Sequence, residues 1–290
     1  MDVLLNVATL EAAIRLAVPV ALAALGALVS ERSGVLNLGL EGMMLCGALG
    51  GYAAAEGIGS PWVGLGAGIL VGALCGGLMA LLVVTARANQ VVTGIAFTLL
   101  AGSATTYVFQ LQYSIGDVPP RISRIGMGPL VVLTLLCVVG VWLLFTRTTF
   151  GLSLAAVGEA PESADALGYR VVRLRWIASM IGGGLAGLGG AALVCGPLGL
   201  FIENVTAGRG WVALALVVFA GWRPWHALGG ALLFGLCDAA QLRLQGTATE
   251  VPYEVFLALP YAVTLIALVI RARASHTPSA LGVPFVRGAT

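Results

Sequence analysis

Long apolar runs dominate the chain, separated by short clusters of Arg, Gly, Pro and acidic residues. Apolar segments cover residues 10–29, 36–55, 62–85, 91–109, 129–146, 176–196, 211–221, 225–242 and 253–270. A helix needs about 20 largely apolar residues to cross a bilayer. The runs are continuous and show no period-2 alternation, so helices are predicted rather than a barrel. The expected fold is all-α: a polytopic transmembrane helical bundle of about nine spans. The chain, 1–290, reads as a single transmembrane domain with a polar loop over 147–175 and a tail over 271–290. Asp2 and Glu11, rather than basic residues, flank the start of the first span, which argues against a signal peptide. In the third span Gly64, Gly68, Gly72 and Gly76 share one helix face. Such a flat face lets a second helix approach closely; the alternative is a lining for a solute path.

Composition agrees with a membrane protein and removes several chemistries. Apolar residues make up 59% and charged residues 10%, with a mean hydropathy of +1.00. All 15 basic residues are Arg. Without Lys the chain cannot hold a standard P-loop or a Schiff-base lysine. The two His, at 226 and 276, and the five scattered Cys form no metal or redox motif, so no cofactor or metal is expected. A net charge of +2 argues against nucleic acid. Arg placement sets the orientation. With nine spans and a cytoplasmic C-terminus, Arg32, Arg87, Arg147, Arg170, Arg173, Arg175, Arg223, Arg271, Arg273 and Arg287 fall inside. Arg15, Arg121, Arg124, Arg209 and Arg243 fall outside or near it, so the N-terminus is expected outside. Trp62, Trp176, Trp211, Trp222 and Trp225 sit at span edges, as an aromatic belt requires.

Two stretches stand out. In residues 30–42, Gly34, Gly39 and Gly42 weaken a regular helix, and Asn37 is the expected N-cap of the second span. Asn37 and Glu41 would then share a face. A carboxylate inside a span marks function by default, unless neighbouring backbone or a partner Arg satisfies it. In the loop 147–175, Pro161 suits a first helical position, with Glu162 in the first turn and Gly168 just past the end. A helix of about two turns is predicted there, either a docking knob or an interfacial helix. The seventh span begins at Gly208-Arg209-Gly210 after Glu203 and Asn204, and is short. Glycine-broken starts in the second and seventh spans fit a possible inverted repeat with a solute site between them. Candidate path residues are Asn37, Glu41, Asn89, Gln90, Thr93, Asn204 and Asp238. Asn89, Gln90 and Thr93 equally suit a helix cap. Asp238 lies one turn from Gln241.

The run from Ser30 to Met44 (SERSGVLNLGLEGMM) resembles the signature of ABC importer permease subunits. The superfamily is that of the branched-chain amino acid, ribose and nucleoside permeases, and the nucleoside (simple sugar) branch is the nearer one. Residues 155–169, the glycine-rich run 182–193, residues 207–225 and the tail Pro278–Phe285 carry the same resemblance. Ala160 stands where the family usually has Asn, and Leu38 where it often has Ile. The resemblance implies a permease domain forming half of a translocation pathway for nucleosides or related small polar solutes. It implies a second homologous permease, a separate ABC ATPase, and a substrate-binding protein or lipoprotein, with membrane lipid around the spans. It places the chain in a bacterial inner membrane and makes it a transport subunit rather than an enzyme. It assigns Gly158, Glu159, Ala160, Pro161, Ala164 and Gly168 to the helix that couples to the ATPase. Simple sugars are the alternative cargo. An ion-coupled secondary transporter, with Glu41 or Asp238 as a proton or sodium site, is the alternative class.

Overall fold

The computed structural model describes residues 7–113, 119–245, 262 and 277–287. The elements are α1 (Val7–Arg32), α2 (Leu40–Ile58), α3 (Pro61–Ala80), α4 (Gln90–Gln112), α5 (Met127–Arg147), α6 (Thr149–Glu159), α7 (Pro161–Ala166), α8 (Val171–Leu193), α9 (Arg209–Ala220) and α10 (Pro224–Gln245). Single π turns extend α3 over Leu81–Thr85 and α8 over Val194–Leu198. Among the described residues there is no strand. The first eight expected spans are all helical; the ninth, 253–270, lies outside the described residues. By length and composition five described helices can cross a membrane: α1, α3, α4, α5 and α8, with α3 and α8 counted through their π turns. The helix α9, with 12 residues, reaches only about 18 Å at 1.5 Å per residue.

The bundle is organised around α1 and α8. The C-terminal half of α1 is buried on all sides, as a helix without a polar face should be. It packs on α8, α9 and α10 and, less extensively, on α5. The other close pair is α3 with α8. A methyl group built on Gly72 overlaps the Gly183 carbonyl, one on Gly76 overlaps the Ser179 carbonyl, and one on Gly187 overlaps the Gly68 carbonyl. The two glycine rows therefore bring backbone against backbone, so the row in the third span is a packing face. On α2, Gly47 meets the Gly187 backbone in the same way. The outward faces of α3 and α4 expose Leu70, Leu74, Leu99, Leu100 and Leu111. So much contiguous apolar surface suits lipid rather than water.

One boundary departs from expectation. The second span starts four residues late, at Leu40, with Gly39 before it and no side-chain cap. Asn37 is therefore not an N-cap. Residues 35–37 stay out of the helix, with Leu36 N held by Gln90 and Val35 N by the end of α1.

The described Arg residues separate by end of the bundle. Arg32, Arg87, Arg170, Arg175, Arg223 and Arg287 cluster around α6, α7 and the tail 277–287. Arg147 and Arg173 flank α6 and α7 in the chain. The start of α1 lies at the opposite end, since α1 runs the length of the bundle to Arg32.

The glycine contact predicts a sharp asymmetry. Gly72→Val should destabilise the bundle by about 1–3 kcal/mol or more, because overpacked backbone cannot yield as a side chain can. Gly66→Ala, in a place with open space around it, should leave thermal unfolding in detergent unchanged or slightly raised. Equal thermal stability of the two variants would refute the packing assignment.

Candidate translocation and coupling sites

Between α1 and α2 the chain runs irregularly from Ser33 to Gly39 inside the bundle. Backbone polar groups in such a place need partners, and these come from the end of α1 and from distant elements. Ser33 N and Val35 N donate to the Ser30 carbonyl (3.1 and 3.3 Å), and Gly34 N donates to Glu31 O at 2.9 Å. Leu36 N donates to the buried side chain of Gln90 at 2.7 Å. Thr98 Oγ1 donates to Leu38 O at 3.2 Å. Arg175 Nε donates to Ser33 O at 3.1 Å, and Gly282 N to Gly34 O at 3.1 Å. Gly34 itself has φ +87°, a left-handed turn that favours glycine.

Glu41, in the first turn of α2, is 4% exposed. Its carboxylate accepts from Thr206 Oγ1 at 2.5 Å, Gly208 N at 2.9 Å and Gly210 N at 2.6 Å. These are the residues that open α9. The carboxylate thus caps a helix N-terminus in trans, where unpaired N–H groups and the helix dipole both favour negative charge. The Gly210 position admits no side chain, since a methyl there would sit 2.6 Å from the Glu41 Cα. The glycine-broken starts of the second and seventh spans therefore meet through one carboxylate.

The other candidate path residues divide into two groups. Around α9, Asp238 of α10 pairs with Arg209 at 3.5 Å, and Arg209 Nη1 also donates to Thr206 O at 3.2 Å. Asn204 lies in the exposed turn before α9, with φ +52°. Around the 33–39 break, Asn37 is buried; its Nδ2 contacts Met43 Sδ at 3.4 Å and its Oδ1 has no hydrogen-bond partner. Asn89 caps α4, accepting from Val91 N and Val92 N at 3.0 and 3.1 Å. Thr93 is half-buried one turn into α4. Glu41 and Asp238 meet the same helix start and Gln90 meets the break, whereas the Asn89 side chain serves the start of its own helix.

At the Arg-rich end, α6 and α7 follow α5 with a break at Ala160. Pro161 holds the first position of α7 and Gly168 turns left-handed after it, with φ +89°. Tyr169 N donates to Ala164 O at 3.0 Å and Gly168 N to Asp165 O at 2.9 Å. This paired pattern is a Schellman termination. The side of α7 carrying Ala164 is buried against Val157 and Val171, while Glu162, Ser163, Ala166 and Leu167 face outward. Gly158 rests on the Arg32 carbonyl. Of the six coupling candidates, Gly158 and Ala164 are thus packing positions, Pro161 and Gly168 delimit the helix, and Glu159 and Ala160 are exposed.

Three participants carry no local signal in the sequence. The tail 277–287 lies across this end: Ala280 N donates to Gly158 O at 2.9 Å, Ser279 N and Oγ donate to Glu159 at 3.2 and 2.9 Å, and Arg287 pairs with Asp165 at 3.0 Å. Arg175 is 2% exposed and joins the tail to the break, its Nη1 donating to Val283 O at 2.9 Å. Glu31 accepts from Trp222 Nε1 at 2.7 Å, tying α1 to the α9–α10 turn. The motif assignment of 30–34 and 278–285 covers Glu31 and the tail, and nothing in the sequence singles out Arg175.

The Glu41 geometry makes a distinguishing prediction. In Glu41→Gln one amide nitrogen replaces an acceptor facing backbone donors, leaving a buried N–H unmet at about 1–3 kcal/mol. The apparent Tm in detergent should fall together with uptake. Lost uptake at unchanged Tm would instead assign the carboxylate to direct contact with solute.

The similarities of the chain to known proteins agree with this arrangement. The profile of the family described as branched-chain amino acid transport system / permease component matches residues 9–268. A putative glucose ABC transporter permease of Haloferax volcanii is 44% identical over 81% of this chain and 77% of its own length. A guanosine ABC transporter permease of Bacillus subtilis is 33% identical over 94% of both chains. A nucleoside ABC transporter permease of Lactococcus lactis is 31% identical over 93% of both. No solved structure matches. A bundle of apolar helices opened by two interlocked breaks, with a profile match over nearly its whole length, belongs to the branched-chain amino acid transport system permease family of ABC transporters.

Proposed function

We propose that the chain forms half of the translocation pathway of an ATP-driven importer for nucleosides or related uncharged polyhydroxylated solutes. The observation that carries the choice of solute is the state of the two candidate path carboxylates, Glu41 and Asp238. Glu41 is saturated by three donors, and Asp238 is paired with Arg209. A zwitterionic amino acid needs free charges of both signs, whereas a nucleoside needs neutral hydrogen-bond partners and apolar surface. The open Oδ1 of Asn37 beside the break is such a neutral partner. The guanosine and nucleoside permeases among the relatives support this reading. Simple sugars are the second reading, favoured by the 44% identity to the putative glucose permease; they share the same uncharged chemistry.

On this reading ATP is hydrolysed by a separate ABC ATPase that docks on the exposed face of α7, and a second homologous permease supplies the other half of the path. A substrate-binding protein or lipoprotein delivers solute at the opposite end. The Arg-rich end with α6, α7 and the tail faces the cytoplasm across the cytoplasmic membrane, and the start of α1 faces outward. Leu167, 79% exposed, is the apolar tip offered to the ATPase. Gly158 and Ala164 hold α7 to the bundle, so that a push on its tip reaches Arg32 and the break beyond it.

Reconstituted with its partner subunits, the transporter should take up labelled guanosine or glucose with ATP. Excess leucine should not compete, and competition by leucine would refute the assignment to uncharged solutes. Leu167→Glu should lower ATP-driven uptake about tenfold, the effect of removing about 1.4 kcal/mol of docking energy, without changing the apparent Tm. Full uptake by that variant would remove Leu167 from the docking surface.

A further inference from the structure

Two cavities lie along the same three helices, α1, α5 and α10, and differ in character along their length. At the Arg-rich end a pocket of about 340 Å³ is walled by Trp142 and Phe145 of α5, Arg32 of α1, and Trp222, Arg223 and Trp225 at the turn into α10. Farther along, a second cavity of about 190 Å³ is lined by Ala17 and Ala21 of α1, Leu135 of α5, and Leu228 and Leu232 of α10. Its wall is aliphatic apart from Thr134, whose hydroxyl is turned back onto the Leu130 carbonyl at 2.8 Å.

The first pocket is built for an anion. It contains two guanidinium groups and no carboxylate among its lining residues. Arg32 lies over the Phe145 ring at 5.2 Å, with Nη2 donating to Trp222 O at 3.3 Å, and its Nε is buried without a hydrogen-bond partner. The charged groups facing Arg32 are Arg223 and Glu159, and Glu159 is already engaged by Ser279. Arg223 is exposed and forms no ion pair among the described residues. Trp225, 47% exposed, and the half-buried Trp142 have the amphipathic character of residues at headgroup depth. From Phe145 back to Leu135 along α5 is ten residues, about 15 Å at helical rise. That distance is about half a hydrocarbon core, the depth of one leaflet.

We propose that the groove between α5 and α10 binds one anionic phospholipid from the leaflet on the α6–α7 side. Its phosphate sits between Arg32 and Arg223, and one acyl chain lies along Ala17, Ala21, Leu228 and Leu232. Basic pockets between helices at a membrane face hold acidic headgroups in this way. A bound lipid here would wedge α10 against α5 beside Trp222, which anchors Glu31 at the end of α1. The site is independent of which solute the protein carries.

Native mass spectrometry of the full chain in detergent tests it, with phosphatidylglycerol, phosphatidylcholine and inorganic phosphate as probes. The wild type should retain one phosphatidylglycerol and prefer it to phosphatidylcholine. Arg223→Glu, at an exposed position, should weaken that retention about tenfold, the scale of one charge-assisted contact. Leu228→Trp, which fills the deeper cavity, should reduce retention while circular dichroism stays unchanged. Equal phosphatidylglycerol binding by wild type and Arg223→Glu overturns the proposal. So does inorganic phosphate displacing the lipid adduct's stabilisation in full, which would make the pocket an ion site only. A disulfide between copies formed from cysteines placed on α5 and α10 would overturn it too, by assigning the groove to a second permease chain.

Discussion

Irregular backbone inside an apolar bundle has no water to satisfy it, so every amide and carbonyl released by a helix break must be met by another part of the chain. The permease has two such breaks, at 33–39 and just before α9, and much of its long-range architecture follows from their needs. Gln90, Thr98, Arg175 and the tail supply the first break. Glu41 supplies the second, and because Glu41 follows directly on the first break, the two are locked to each other. An unmatched buried carboxylate or amide would cost several kcal/mol; matched, the pair fixes where α9 starts relative to α2.

Close helix approach is the complementary constraint. Lipid gives no hydrophobic drive for helices to associate, so backbone contact through small residues must hold the bundle. The rows on α3 and α8 do this, and Gly47 brings α2 to the same strip of α8. Polar groups in the breaks then meet partners whose positions vary little, because the helices that carry them are held backbone to backbone. The glycine content that marks the composition is thus distributed between tight packing, left-handed turns such as Gly34 and Gly168, and the bare approach of Gly210 to Glu41.

Much of the helical plan could be read from local pattern, for a physical reason: a span is defined by its own apolar length. The short helix α7 was equally readable, because Pro161 and Gly168 act on their own neighbours. Asn37 was misplaced as a cap because Leu36 is drawn to Gln90, and such a partner leaves no trace in nearby sequence. The duty of Glu41 is set by glycines on another helix, and that of Arg175 by the chain's far end. Arg175 counted only as an inside positive charge, yet its side chain is fully enclosed and holds two carbonyls. Ala164 looked like part of a docking surface, although three-dimensional packing turns it inward. Residues whose work is local were legible; those that serve a break made elsewhere were not.

The tail also bears on how the molecule is made. Gly34 O is met by Gly282 N, and Arg175, which serves Ser33, is itself held by Val283. The first break is synthesised long before Gly282 and Val283, its most distant partners in the chain. Until then the motif between α1 and α2 carries open hydrogen-bonding groups, and α6 lacks the strand of chain that lies across Gly158. Contacts so distant in sequence carry a large loop-closure cost. The hydrogen bonds that join α6 to the first break therefore depend on residues 280–283, and the join is complete only when these are docked.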